Sequence, residues 1–449
     1  MNKKIVLKLG TITTGISFIS LSAACSSKMN EHPIPEEKKV TDKNMLPTTK
    51  LNPVELNDKF KLDATAKANA KKIVMIQYED VAEGSEFNKL AWNGIKEFAQ
   101  KQNNLDPSLY QLLSVKNNNF EELYKKALDE DYKIWVLSGI EHSEHFENFF
   151  KNSENLKKAQ EKGIKIIQLG FDEQANINGA IISQIYNVKE AAFNAGYAAA
   201  EFLSHETPEN RTFGIIGADS QPSTVGHYAE GFMKGVIYWN QKPENKDKKI
   251  KIASQQPIFN ATYQSGQKMD KAIEKLMKTN PKLILSIIGD SINELLKHKE
   301  IATKYIIGVN EDYSVGEVAK NKLFLTSILK TPGQGVYNII GLLSTTNGDL
   351  EKIYTNNDVK AILGKKDGQR FSKYGSFSDK LVGLAKPNLA DRTKNELAES
   401  AIKKAEKMWA EISESDKTWI DTPKAINDEN SEILNDFTRL YREMANVLK

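Results

Sequence analysis

From Lys71 onward, short apolar runs rich in β-branched residues alternate with runs of helical periodicity, and this alternation most limits the folds open to the chain. Strands separated by helices build parallel sheets covered on both faces. The first unit is the clearest. Ile73-Val-Met-Ile-Gln-Tyr78 reads as a buried strand and residues 79–85 as a loop of acids and small residues. A helix begins at Phe87, with Leu90, Ala91, Ile95 and Phe98 at helical spacing. Such a loop lies at the carboxyl edge of a parallel sheet, where open α/β folds bind ligands. Phe87 and Asn88 stand where loop becomes helix, a ring able to stack on a flat ligand beside an amide able to hydrogen-bond it. The same pair reads equally as a core residue and a helix cap.

The pattern continues with expected strands near 110–115, 133–138, 164–169 and 180–186. A small-residue helix follows, in which Gly196, Ala199 and Ala200 permit close packing on a sheet. A second half opens at Thr212, with strands expected at 213–217, 250–254, 281–288, 305–310 and 323–330 and a last one within 374–384. A polar residue recurs just past the buried strands: Asp172, Asp219, Asp290 after Gly289, Asn310 and Asp312. Each alone reads as a cap or loop residue. In parallel sheets these ends converge on one cleft, and acceptors grouped with aromatic faces suit a ring-bearing, polyhydroxylated ligand.

At 449 residues the chain is long enough for two lobes. Its charge of +3 owes itself to Lys3, Lys4 and Lys8, which lie in a segment expected to be removed, leaving a near-neutral mature chain. Lysines scattered among acids make a poor nucleic-acid binder, so no nucleic-acid partner is expected. Residues 1–24 have the layout of a signal peptide: lysines, a weakly apolar uncharged run, then small residues. Cys25 follows at once. It is the single cysteine of the chain, which excludes an internal disulfide, and its position is that of the acylated cysteine of a bacterial lipoprotein. Two acyl chains there would anchor the protein stably to the membrane. Residues 25–70, polar and proline-spaced, read as the lipidated N-terminus and a flexible tether with a reach on the order of 35 Å.

No Gly-x-Gly-x-x-Gly follows a strand, and neither a Walker A sequence nor a Gly-x-Ser-x-Gly elbow is present. His142 and His145 share a helix face, but no nearby pattern supplies the further ligands zinc needs. The chain therefore reads as a binding protein rather than an enzyme, with no cofactor and no metal. At the C-terminal end, Leu397, Ala401, Ala405, Met408 and Ile412 share one helix face. Ile433, Phe437, Leu440, Met444 and Val447 share another. Stripes of this kind are core or docking faces.

Several of these segments together resemble the basic membrane protein family, the substrate-binding lipoproteins of ABC importers that include bacterial purine nucleoside receptors. Glu86-Phe-Asn-Lys-Leu-Ala-Trp-Asn-Gly-Ile-Lys96 is similar to the family's Ser-Phe-Asn-Gln-x-Ala-Trp-x-Gly-hydrophobic-Lys. Phe213-Gly-Ile-Ile-Gly217 and the helix from His227 resemble its Gly-Phe-Ile-Gly-Gly…Phe-x-x-Gly-Phe-x-x-Gly block, with Tyr228 at the family's Phe. Residues 305–312 are similar to Ile-Gly-Val-Asp-x-Asp, 323–330 to Leu-Thr-Ser-x-hydrophobic-Lys, and 374–384 to the family's last strand. The chain departs from the family at Gly84 and Tyr78, where aspartates are usual and where Glu79 or Asp80 could substitute. It departs again at Asn310, where the family has Asp.

The resemblance implies a fold of α/β class with two Rossmann-like lobes of the type I periplasmic-binding-protein kind, joined by a hinge, with a C-terminal helical extension. The two-lobe domain is expected at 71–387, with lobe 1 at about 71–186 plus 311–345 and lobe 2 at about 187–310 plus 346–387. Helices fill 388–449. Hinge crossings are expected near Tyr186–Glu190, Asn310–Ser314 and Lys330–Gly335. The resemblance further implies stacking by Phe87 and Tyr228 on a base, and hydrogen bonds from Asn88, Asp172, Asn310 and Lys330. Gly289 and Asp312 join that ligand-binding set at neighbouring strand ends. The implied function is a lipid-anchored, extracytoplasmic receptor binding a nucleoside, with an ABC permease and its ATPase as partners. A sugar receptor on the same fold and a surface adhesin are the competing readings.

Overall fold

The computed structural model describes residues 54–78, 82–173, 181–218, 225–259, 261, 265–289, 292–346, 349–368 and 370–449, the side chains of 82–86 and 351 apart. Cys25, Glu79, Asp80, Asp219 and Asp290 lie outside what is described, and Gly84 falls within the first turn of α2.

A short turn at Asp58–Phe60 and helix α1 (Ala64–Ala68) precede the first strand, packed on the folded body. Phe60 is buried edge-on against Tyr337, ring centroids 5.7 Å apart. The Asn57 N–H donates to the Tyr337 hydroxyl at 2.6 Å, and the Leu62 N–H to the buried Asn103 side chain at 2.8 Å. The expected tether thus gives way to packed chain by Val54 rather than Lys71. Phe60 and Leu62, apolar residues in a polar stretch, carry that packing.

The first lobe then holds β1 (Ile73–Tyr78), α2 (Ala82–Lys96), β2 (Tyr110–Val115), α3 (Phe120–Asp129), β3 (Ile134–Ser138), α4 (His142–Lys151), α5 (Ser153–Glu161), β4 (Lys165–Leu169) and β5 (Ile181–Tyr186). The chain crosses to α6 (Val188–Leu203), β6 (Thr212–Gly217), α7 (His227–Gln241), β7 (Lys251–Ile252), α8 (Gln267–Met277), β8 (Leu283–Ile287), α9 (Ile292–Leu296), β9 (Tyr305–Asn310) and β10 (Leu323–Lys330). It returns with α10 (Pro332–Thr345), α11 (Leu350–Ile353), α12 (Asn357–Leu363), β11 (Lys365–Asp367) and β12 (Arg370–Gly375). A last crossing leads to β13 (Val382–Leu384), β14 (Asn388–Leu389), α13 (Arg392–Glu411), α14 (Glu414–Asp421) and α15 (Phe437–Val447).

The first sheet runs β11-β12-β5-β4-β3-β1-β2 and the second β13-β10-β9-β8-β6-β7, with β14 also on β10. Pairing is parallel except where β11 meets β12 and where β13 and β14 meet β10. All five residues of β3 and of β8 are buried, as parallel strands covered on both faces require. This is the α/β architecture expected, two lobes of mostly parallel sheet.

The allocation of chain to the lobes differs from the expected one. Residues 311–322 stay with the second lobe, where Tyr313 stacks on Phe324 at 5.6 Å, and β10 pairs in the second sheet. Only from Pro332 does the chain lie in the first lobe, and β12 joins the first sheet beside β5. The run 374–384, expected as one strand, is split between the sheets. Its middle is a turn in which the Asp379 carboxylate accepts from the Ser376 N–H and hydroxyl, and no ladder tolerates that. The crossings therefore fall between β5 and α6, β10 and α10, and β12 and β13. None occurs at Asn310–Ser314.

Each crossing helix packs on the helix that opens toward the cleft, α10 on α2 and α6 on α7. Glycine makes both contacts possible. A Cβ at Gly94 would lie 2.1 Å from the Gly333 carbonyl oxygen, and one at Gly235 2.0 Å from that of Phe193. Gly196 likewise abuts Phe232 of α7, and α6 also lies against β10 and β13 of the second sheet, as expected of a small-residue helix.

The terminal helices belong to the second lobe's core: α13 and α14 lie on α6, and α15 on α7. Phe437, Leu440, Tyr441, Met444 and Ala445 form the buried stripe of α15, whereas Ile433 and Val447 are exposed. The helix starts at Phe437, which leaves Ile433 outside its periodicity.

Candidate functional site

Helix α2 begins five residues before Phe87, which places that ring in its second turn. Phe87 is half-buried between the apolar clusters of both lobes. It meets Tyr186, the last residue of β5, edge to face with centroids 5.6 Å apart. Tyr228, in the first turn of α7, is buried, and its hydroxyl donates to the Asn310 side-chain oxygen at 2.6 Å. Lys330, at the end of β10, joins the two. Its ammonium lies 5.8 Å from the Phe87 centroid and 5.5 Å from the Tyr228 centroid, one cation facing rings from two lobes.

Asn88 is buried and ties the start of α2 to the strand ends. Its oxygen accepts from the Ser138 hydroxyl at 2.6 Å and its nitrogen reaches the Tyr78 carbonyl at 3.5 Å. Asn310 closes β9 with a φ of +72°, a left-handed conformation that Asn tolerates better than most residues. Gly289, just past β8, has a φ of +54°. Asp312 accepts from the Ser314 N–H at 2.8 Å and so stabilises its own turn.

Asp172, expected as a ligand acceptor, has its carboxylate on a protein partner. It forms an ion pair with Arg370 of β12 at 2.7 Å, a partner on the return segment that strand-end reasoning did not anticipate. His142 is a core residue. Its ring bridges the Tyr124 hydroxyl at 2.7 Å and the Ile76 carbonyl at 3.0 Å, and burial lowers its pKa to about 3. Among the described residues no cluster of His, Cys, Asp and Glu is arranged to hold a metal ion.

Behind Tyr228 lies a buried ionic cluster that sequence reasoning missed. Glu230 pairs with Lys189 of α6 at 2.7 Å and with Lys234 one turn along its own helix. Lys234, fully buried, also donates to the carbonyls of Trp419 at 2.9 Å, Ile420 at 3.0 Å and Thr422 at 2.6 Å. The end of α14 thus points its negative dipole at a second cation that one carboxylate cannot neutralise alone. Burial lowers Lys234 to about 8, opposed chiefly by Glu230. The spacing of Glu230 and Lys234 is visible in sequence, but it reads as a surface pair. Near the first crossing, Glu190 accepts from the Phe377 N–H at 2.7 Å and from the Asn187 amide at 3.0 Å. Burial, with Asp421 and Asp379 nearby, raises it to about 7.

The arrangement offers two rings, one cation and several committed amides, which is the equipment of a binding cleft. Among the described residues no helix is long and apolar enough to cross a membrane. A family model described as ABC transporter substrate-binding protein, PnrA-like, matches residues 71–353. No curated protein matches the chain by sequence. Among solved structures, an ABC transporter solute-binding protein from Aeropyrum pernix K1 is 13% identical, covering 84% of this chain and 91% of that one, with a TM-score of 0.51. One from Conexibacter woesei DSM 14684 is 14% identical over 77% and 98%, with a TM-score of 0.49. A transcriptional activator of the comK gene from Bacillus halodurans is 15% identical over 75% and 97%, also at 0.49. At 13% identity the first of these likenesses is one of fold.

Proposed function

Because the chain belongs to the PnrA-like family of ABC transporter substrate-binding proteins, we propose that it is a lipid-anchored receptor that holds a nucleoside, a purine nucleoside foremost, between its lobes and delivers it to a membrane permease. The family match supports an extracytoplasmic binding protein with a solute and a permease as its partners. The observation that carries the nucleoside reading is the pairing of Phe87 and Tyr228 around Lys330, rings from two lobes within reach of one cation. A planar base stacks on such rings, and its carbonyl or ring nitrogens accept from a lysine.

The sugar reading would use the Asp172 carboxylate and the Asn310 oxygen as acceptors for hydroxyls. Each accepts from Arg370 or Tyr228 and keeps lone pairs for more, so ribose and nucleosides must be compared directly. The adhesin reading relied on the terminal helices as a contact surface, and their apolar faces are buried in the second lobe.

Native mass spectrometry of the purified protein, alone and with added nucleosides, tests the proposal. A retained nucleoside mass is expected, and a retained hexose would contradict it. The anchor is tested separately: Cys25→Ser should lose lipid labelling and leave the membrane fraction. Retention after a carbonate wash would refute the anchor without touching the ligand.

A further inference from the structure

Tyr186 stands at the first crossing, where β5 ends, and Phe87 meets it edge to face. It belongs to the apolar cluster of the second lobe although its strand belongs to the first, so its ring lies where the lobes meet. The residue is 7% exposed, and its hydroxyl is buried with no hydrogen-bond partner among the described residues. A buried, unmatched hydroxyl costs stability that a phenylalanine in the same place would not. Such a group is commonly explained by something outside the chain that completes it.

No described acceptor takes this hydroxyl. The Gln184 and Asn187 side-chain oxygens, its neighbours in sequence, are buried and without a donor themselves, and other site acceptors already hold protein donors. The Asn88 oxygen takes the Ser138 hydroxyl, the Asn310 oxygen takes the Tyr228 hydroxyl, and the Asp172 carboxylate takes Arg370. Burial holds the phenol well above its usual ionisation, so it is neutral and has a proton to donate.

We infer that Tyr186 is a specificity-determining contact of the cleft, donating a hydrogen bond to an acceptor atom of the bound ligand beside the Phe87 ring. The inference rests on the nucleoside reading for the kind of ligand, and it narrows that kind. The atom facing Tyr186 is a ring nitrogen, a carbonyl oxygen or a hydroxyl oxygen, not an amino group. A hydroxyl that donates here makes the corner beside the Phe87 ring select for a ligand atom that can accept.

Tyr186→Phe removes the hydroxyl and keeps the ring. Calorimetry of wild type and variant with adenosine, guanosine, inosine, ribose and the free bases is paired with thermal melts of the ligand-free proteins. Affinity for the tightest ligand should fall about 2- to 12-fold, the worth of one neutral hydrogen bond. The ligand-free melting temperature should stay level or rise, since no protein contact is lost. Equal affinity in the two proteins would overturn the inference while leaving the nucleoside reading intact. A lower melting temperature in the ligand-free variant would overturn it whatever binds, because the hydroxyl would then serve the fold. If wild type binds nothing in that panel, the nucleoside reading itself has failed, and the melts still decide whether the hydroxyl serves the fold.

Discussion

Phe87 and Tyr228 hold matching positions in the two lobes, each near the start of a helix that packs through glycine on a helix entered from a crossing. Their supports differ. Tyr228 is 2% exposed and its hydroxyl is fixed by Asn310. Behind it, α6 and α7 are joined by Lys189, Glu230 and Lys234 and covered by the three terminal helices. Phe87 is half-buried and held by packing against Tyr186 and Lys330, and the helix pair behind it is covered by the Phe60 turn. The second lobe therefore presents a fixed ring and the first an adjustable one. In the proposed two-ring site, the fixed ring would set ligand orientation and the adjustable one would accommodate ligand thickness.

The largest effect expected concerns the ionic cluster that makes the second lobe the fixed half. Lys234→Met should cost about 3–5 kcal/mol, because it leaves three carbonyls without their donor and Glu230 with a single partner. Denaturant unfolding measures it. A loss below about 1 kcal/mol would mean that the cluster does not hold the lobe, and the contrast with the first lobe would go.

Glu190, at the hinge end of the fixed lobe, comes next. Its folded pKa of about 7 lies above the ordinary 4.5. The penalty for its charge is therefore absent below pH 4.5, grows as the pH rises through the window, and is complete above about pH 7. At roughly 1.4 kcal/mol per unit it reaches about 3 kcal/mol at most. Glu190→Gln should gain stability relative to wild type as the pH rises from 5 to 8. Parallel stability curves for the two proteins would show that the carboxylate is not strained.

The glycine contacts test what the two lobes share. Gly94→Leu and Gly235→Leu should each cost about 1–3 kcal/mol by forcing a helix pair apart. Thermal melts compare them. Loss in only one variant would show that the lobes are not built on the same device.

How far the sequence exposed this design depends on the range of each interaction. The buried strands were legible because β-branched runs identify themselves locally, whereas the helix expected to begin at Phe87 begins at Ala82. What stayed hidden was tertiary. The partner of Asp172, Arg370, lies 198 residues away. The run 374–384 reads as one strand, yet a turn around Asp379 sends its two ends to different sheets. Lys234 looks like half of a surface pair until the carbonyls of Trp419, Ile420 and Thr422 arrive from the end of the chain. Local pattern cannot reveal which distant group neutralises a charge.

Calorimetry with purine nucleosides on Phe87→Ala and Tyr228→Ala tests the two-ring cleft most directly. Each variant should bind about 5- to 150-fold more weakly than wild type, the worth of one base–aromatic stack. Phe87→Tyr, which keeps the ring, should cost little. Wild-type affinity in both alanine variants, or ribose binding as tightly as the nucleosides, would contradict a base held between the two rings.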